Sequence, residues 1–247
     1  MKRILLIFIL FFVCRSSLLL GSEIPSEAKS ADAAIWAGFQ LNQNLPGKWL
    51  ASYEYQSRFT KNISFHRGHF NFLSLTWKPI DFFFACLEYR NVIAFDSNTH
   101  RLGIELNLKK KWKRVVLIKR TVFQSEHYSV NTLEQPSSFP ANFWRERILL
   151  RYELQPKLKF TASTETFFTI GTSFYFQRLR TQVGLSYELT KQLTLNALWL
   201  FQEEFNTPGG DKTHAWVINT SFDLPNWWKK KKKKEKQKTE SSVLPHK

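Results

Sequence analysis

The 247-residue sequence predicts an all-β fold, an antiparallel up-and-down transmembrane β-barrel of about 10–12 strands over residues 35–224. Long segments alternate apolar and polar side chains with a period of two, as a strand does when its faces meet different surroundings. The polar faces pair Arg with Glu and the apolar faces carry aromatic residues towards their ends, the pattern of lipid outside and a polar lumen inside. Turn residues bound the segments at the spacing of a meander. Residues 174–189 show this best. Tyr175, Leu179, Val183, Leu185, Tyr187 and Leu189 fall on one face, and Arg178, Arg180, Gln182, Gly184, Ser186 and Glu188 on the other. A soluble sandwich also alternates, but its strands are shorter, about 5–6 residues, and its apolar face points inward.

The chain opens on Lys2-Arg3 and an apolar run over residues 4–13, the n- and h-regions of a secretory signal peptide. The run is too short to span a bilayer as a helix. Residues 1–22 are expected to form the signal, with cleavage open as far as residue 33, because Ala31-Asp32-Ala33 offers a small-x-small pattern. No later segment reaches the roughly 18 consecutive apolar residues of a membrane helix. A closed sheet is the remaining way to cross.

Eleven strand-like segments follow, at residues 35–42, 49–59, 64–77, 82–95, 100–109, 112–124, 143–154, 158–170, 174–189, 193–206 and 213–224. In the second, Trp49, Ala51, Tyr53, Tyr55 and Phe59 oppose Ser52, Glu54, Gln56 and Arg58. In the fifth, Leu102, Ile104, Leu106 and Leu108 oppose Arg101, Gly103, Glu105 and Asn107. In the seventh, Trp144, Ile148, Leu150, Tyr152 and Leu154 oppose Arg145, Arg147, Arg151 and Glu153. Residues 112–124 alternate less well, and residues 125–141 read as a long polar loop. Eleven strands would close on a parallel pair, whereas bacterial barrels are normally even. Ten strands from Trp49 onward are therefore expected, with residues 35–42 tucked inside or belonging to a twelve-stranded arrangement.

The formal charge of +16 is uneven: Lys2, Arg3 and Arg15 supply three and the segment after Trp228 a net seven, leaving six on the body. The basic balance is thus a terminal feature and not a nucleic-acid-binding face. Residues 225–247, with six consecutive lysines, are expected to stay solvated and to meet anionic headgroups. Cys86 is the one cysteine beyond Cys14, so no internal disulfide is expected.

The charged set assigned to the lumen is Arg58, Glu88, Arg90, Arg101, Glu105, Arg145, Arg147, Arg151, Glu153, Glu165, Arg178, Arg180 and Glu188. Such side chains pair across adjacent strands and fill a narrow barrel. The same residues can also be read as an anion site. His66 and His69, three apart in a strand, should point to opposite faces, which argues against a shared metal. There is no G-x-S-x-G, no H-E-x-x-H and no glycine-rich phosphate loop, so no cofactor, metal or catalytic residue is expected.

An early strand with Trp36, Arg58 closing the next, Tyr89-Arg90, the R-x-R-x-x-x-R-Y-E run from Arg145 to Glu153, Glu165, and R-L-R from Arg178 to Arg180 together resemble a family of bacterial outer-membrane proteins, domain of unknown function 2490. The resemblance covers residues 36–224 and implies an outer-membrane barrel, structural or a narrow pore, with no established activity. It supplies no catalytic residues, and the lysine tail is not part of its pattern. The partners such a barrel implies are outer-membrane lipids and the barrel assembly machinery, with no nucleic acid. Two alternatives are an exported soluble β-barrel binding a small apolar ligand, with Leu185 and Tyr187 lining its cavity, and an outer-membrane lipid-modifying hydrolase.

Overall fold

The computed structural model describes residues 32–94, 98–128, 141–171, 173–205 and 212–226. Its strands are β1 (Asp32–Leu45), β2 (Trp49–Thr60), β3 (Phe65–Ile80), β4 (Phe83–Ala94), β5 (Asn98–Trp112), β6 (Val115–Tyr128), β7 (Ala141–Gln155), β8 (Leu158–Ile170), β9 (Phe174–Glu188), β10 (Leu193–Glu204) and β11 (Lys212–Asp223). Consecutive strands pair antiparallel and β1 pairs with β11, closing the barrel. Short links at residues 46–48, 81–82, 113–114, 156–157 and 189–192 mark one rim, called here the tight-turn rim.

The alternation resolves into an inside and an outside. Leu73, Leu75, Leu87, Ile104, Leu185 and Trp216 all lie exposed on the outer surface. On a water-soluble protein such a belt is an aggregation liability; against lipid it is the stable arrangement. Apolar side chains also face inward at one sector, where Ala34, Trp36, Leu200, Ala215 and Val217 form a buried cluster with Leu198 against it.

That cluster backs the seam that corrects the expected even count. Residues 35–42 are neither tucked inside nor part of a twelve-stranded sheet: they lie in β1, which pairs in parallel with β11 from Asp32↔Thr213 to Asn42↔Asp223. Both strands run towards the tight-turn rim, as an odd number requires. Asn42 locks the lower end of the seam. Its Nδ2 donates to Ser221 Oγ at 3.0 Å and Asp223 Oδ1 at 2.9 Å, while its Oδ1 accepts from Gln40 Nε2 at 3.0 Å and Ser52 Oγ at 2.9 Å. At the upper end the turn after β2, where Lys61, Asn62 and Ile63 all have positive φ, is tied to β1 through Asp32 Oδ1, which accepts from Asn62 N at 2.9 Å.

Two bulges shift faces that simple alternation assigned. Between β2 and β3, Arg58 pairs with Gly68 and Phe59 with His66, so Arg67 is the extra residue. Gly68 has φ +150°, a conformation that side chains rarely adopt. His66 and His69 consequently share the outer face, with ring centroids 4.6 Å apart, contrary to the expectation of opposite faces. Between β8 and β9, Phe167 pairs with Arg178 and Phe168 with Phe176, leaving Gln177 extra. Phe174 and Phe176, in place of Tyr175, continue the outward row and pack on Phe168.

The weakly patterned region divides differently from the sequence reading. β5 extends to Trp112 and the turn is Lys113-Arg114, with Lys113 at φ 47°. β6 and β7 extend into what was read as loop; residues 129–140 lie outside the described residues, as does the lysine run.

Candidate functional site

The polar lumen is the candidate site, and the register explains its centre. Arg147, Glu165 and Arg180 are direct neighbours across β7, β8 and β9, with Arg120 beside Arg147 on β6. Glu165 gathers the cations. It accepts from Arg120 Nη2 at 2.7 Å and Arg145 Nη2 at 2.8 Å, and Arg180 Nη1 lies 3.7 Å away. Arg120 reaches on to Glu105 at 3.0 Å, and Arg145 Nη1 donates to Gln124 Oε1 at 2.7 Å. Arg147 Nη2 donates to Ser163 Oγ and Gln182 Oε1, both at 3.0 Å. The side chains of Arg145 and Glu165 are each 4% exposed, so removing one partner would strand a buried charge.

Beside this network, guanidinium groups lie on aromatic rings. Arg58 is held between Trp36 at 3.8 Å and Phe70 at 3.7 Å, and Arg90 lies 4.0 Å from the centre of Phe72. Phe167 receives Arg145, Arg178 and Arg180 at 4.7–5.2 Å. Each such contact contributes about 0.5–2 kcal/mol, more where water is excluded. Inward-pointing Trp36, Phe70, Val122, Arg145, Glu165, Phe167 and Leu200 are buried. A water-filled channel would expose its lining, so the lumen is closed at this level.

Much of the sequence-assigned set is connected, and Arg101 reaches the centre through Glu126 and Gln124, whose Nε2 donates to Glu126 Oε1 at 2.6 Å while its Oε1 accepts from Arg145. Arg58, Arg90, Glu105, Arg145, Arg147, Glu165 and Arg180 belong to the closed layer. Arg101 pairs with Glu126 at 2.8 Å and Arg178 with Glu204 at 2.8 Å. Glu188 pairs with Lys159 near the tight-turn rim. Glu88 faces inward opposite Gly103, and Arg151 and Glu153 line a separate cavity. Arg120 was missed because it sits on β6, whose alternation is blurred, and Glu126 because residues 125–141 were read as loop whereas β6 runs to Tyr128. Lys159 and Glu204 were missed although the period of two places them inward. The aromatic partners carry no signal at the level of a charged motif.

The cavity, about 540 Å³, opens at the tight-turn rim. Lys78, Lys109, Lys111, Lys113, Arg114, Arg151 and Lys159 line it, against Asp81 and Glu153. Among the described residues, only Lys159 of these cations has an ion-pair partner within 4 Å. The vestibule is therefore an electropositive cup below the closed layer.

On the outer surface, Ser57 Oγ lies 2.9 Å from His66 Nε2, and Tyr55 Oη 2.5 Å from His69 Nδ1. No carboxylate among the described residues lies within ion-pair distance of His66, so the serine pair lacks the acid that orients the base in a hydrolase triad. Among the described residues no three His, Cys, Asp or Glu side chains converge to hold a metal.

The sequence profile of a family described as "Protein of unknown function (DUF2490)" matches residues 33–214. The chain belongs to this family. Within this DUF2490 chain, Trp36, Arg58, Arg90, Arg145, Arg147, Glu165 and Arg180, among the residues that carried the resemblance, meet in the closed layer, whereas Arg151 and Glu153 line the cavity and Tyr89 faces outward. Among solved structures, the fold is similar to the NanC porin in a rhombohedral crystal form, at 14% identity and a TM-score of 0.52, covering 78% of this chain and 98% of that one. The beta domain of the Bordetella autotransporter BrkA is similar at 11% identity and a TM-score of 0.41, covering 76% and 97%. The likeness to the porin shows the fold, a closed β-barrel of the porin kind. A comparison with curated proteins gives no match.

Proposed function

We propose that the chain is an integral outer-membrane barrel acting as a narrow pore, held closed at mid-lumen by its Arg–Glu–aromatic layer and biased towards anions by its basic vestibule. The observation that carries the reading is the combination of an apolar outer belt with a polar lumen whose lining is buried. Its surroundings are membrane lipids, and its insertion requires the barrel assembly machinery. The soluble alternative needs Leu185 and Tyr187 inside, but they point outward at 44% and 45% exposure. The hydrolase alternative rests on the Ser57–His66 pair, which lacks an orienting acid. No catalytic role is assigned.

Reconstitution into planar bilayers tests the pore. The wild type is expected to conduct rarely and weakly, while the paired change Arg145→Ala with Glu165→Ala opens it and gives a reversal potential favouring anions. A large, unselective wild-type conductance contradicts the closed layer; sedimentation away from the outer-membrane fraction contradicts the location.

A further inference from the structure

Among the charges on the barrel's outer surface, one pair is not explained by lipid. Among the described residues, the outward charges lying more than two residues inside a strand are Lys119 on β6 and Glu146 on β7. Their ion-pair separation is 3.7 Å, and Lys119 is 60% exposed. Glu146 also accepts from Thr121 Oγ1 at 2.9 Å and Trp144 Nε1 at 2.7 Å. The patch continues sideways in short polar side chains: Thr121 faces Glu146, which faces Thr166 on β8, and Thr164 faces Thr181 on β9. On neighbouring β5 the same belt is built of large apolar side chains, Leu102, Ile104, Leu106 and Leu108.

Charges and hydroxyls inside a lipid-facing belt are unfavourable unless something polar covers them. Their own pairing leaves Lys119 mostly uncovered. The patch holds one cation and one anion side by side, so it is complementary to itself: about a two-fold axis, Lys119 of each copy meets Glu146 of the other. Threonines beside the pair leave little bulk in the way of a close approach between two barrels, as small residues do at other contacts within membranes.

We infer that the β6–β9 face is a contact between two copies of this chain within the membrane, centred on Lys119 and Glu146. The inference rests on the outer-membrane reading. It is tested with full-length chains carrying two different tags, expressed singly or together in the outer membrane. Lys119→Glu alone and Glu146→Lys alone place like charges across the axis and should weaken self-association about tenfold. Expressed together, one copy presents two anions and the other two cations, so co-purification of the two tags should recover. A thiol cross-linker should join copies bearing Thr166→Cys, and not copies bearing Phe39→Cys on β1, across the barrel from β6 and β7.

Every sample is also run unboiled and boiled. Absence of the mobility shift of a folded barrel in the wild type defeats the membrane reading, and the contact with it. A normal shift defeats the contact alone if the two charge variants pair no better together than apart, or if Thr166→Cys links only to a different protein.

Discussion

Neighbouring residues on one strand should behave oppositely. Leu185 faces outward on β9 and Ser186 faces the lumen, its hydroxyl bonded to Asn196 Oδ1 at 2.7 Å. Leu185→Arg is expected to cost about 2–4 kcal/mol in denaturant titrations of the protein folded into vesicles, and Ser186→Arg much less. Equal costs would contradict the assigned orientation. Glu165 offers a second test at this scale. Glu165→Ala leaves Arg120 and Arg145 without their central anion in a buried layer, so the same titration should show a loss of about 3–5 kcal/mol. Replacing Glu188, which pairs with Lys159 in a far more exposed position, should cost about 1 kcal/mol or less.

At the scale of the element, the seam between β1 and β11 is the least conventional join. Truncating Asn42 to Ala removes an amide bonded to β2 and β11, and hydrogen-bond energetics place the loss at about 1–3 kcal/mol. Protease cleavage within β1 should rise in step, and a loss of stability with β1 still protected would mean that Asn42 does not hold the seam. The elements are also where the sequence was most and least legible. Ten of the eleven pairings join consecutive strands, and strands such as β5 and β7 could be read because both faces alternate cleanly. Three places resisted for separate physical reasons. β1 was discounted because the usual parity of barrels outweighed its own alternation. β6 was blurred because Lys119 and Thr121 interrupt its outer face. The bulges at Arg67 and Gln177 each add one residue, and a period of two carries no mark of where a count slips. In the lumen, the inward position of each Arg and Glu followed from parity, whereas their partners depended on register between strands, which no single strand encodes.

For the whole molecule, the long connection between β6 and β7 belongs on the outer surface if the tight-turn rim faces the periplasm. An epitope placed at Gln135 should be stained by antibody on intact cells, and staining only after permeabilisation would invert the barrel. The lysine run then belongs to the periplasmic side. Vesicles rich in anionic lipid should bind the full-length protein in a salt-sensitive way, and a chain ending at Trp228 should lose that sensitivity; equal binding by both would leave the lysines without this role.

An odd strand count is also a statement about sidedness. A chain that crosses a membrane an even number of times returns to the side it came from, so both ends of an even barrel share one compartment. Eleven crossings do not return it. With β11 ending at the tight-turn rim, β1 begins at the opposite rim, so Asp32 and Asp223 stand at opposite rims of the barrel. If the barrel lies in the outer membrane with the tight-turn rim towards the periplasm, secretion must therefore carry Asp32 across a bilayer that Asp223 never crosses.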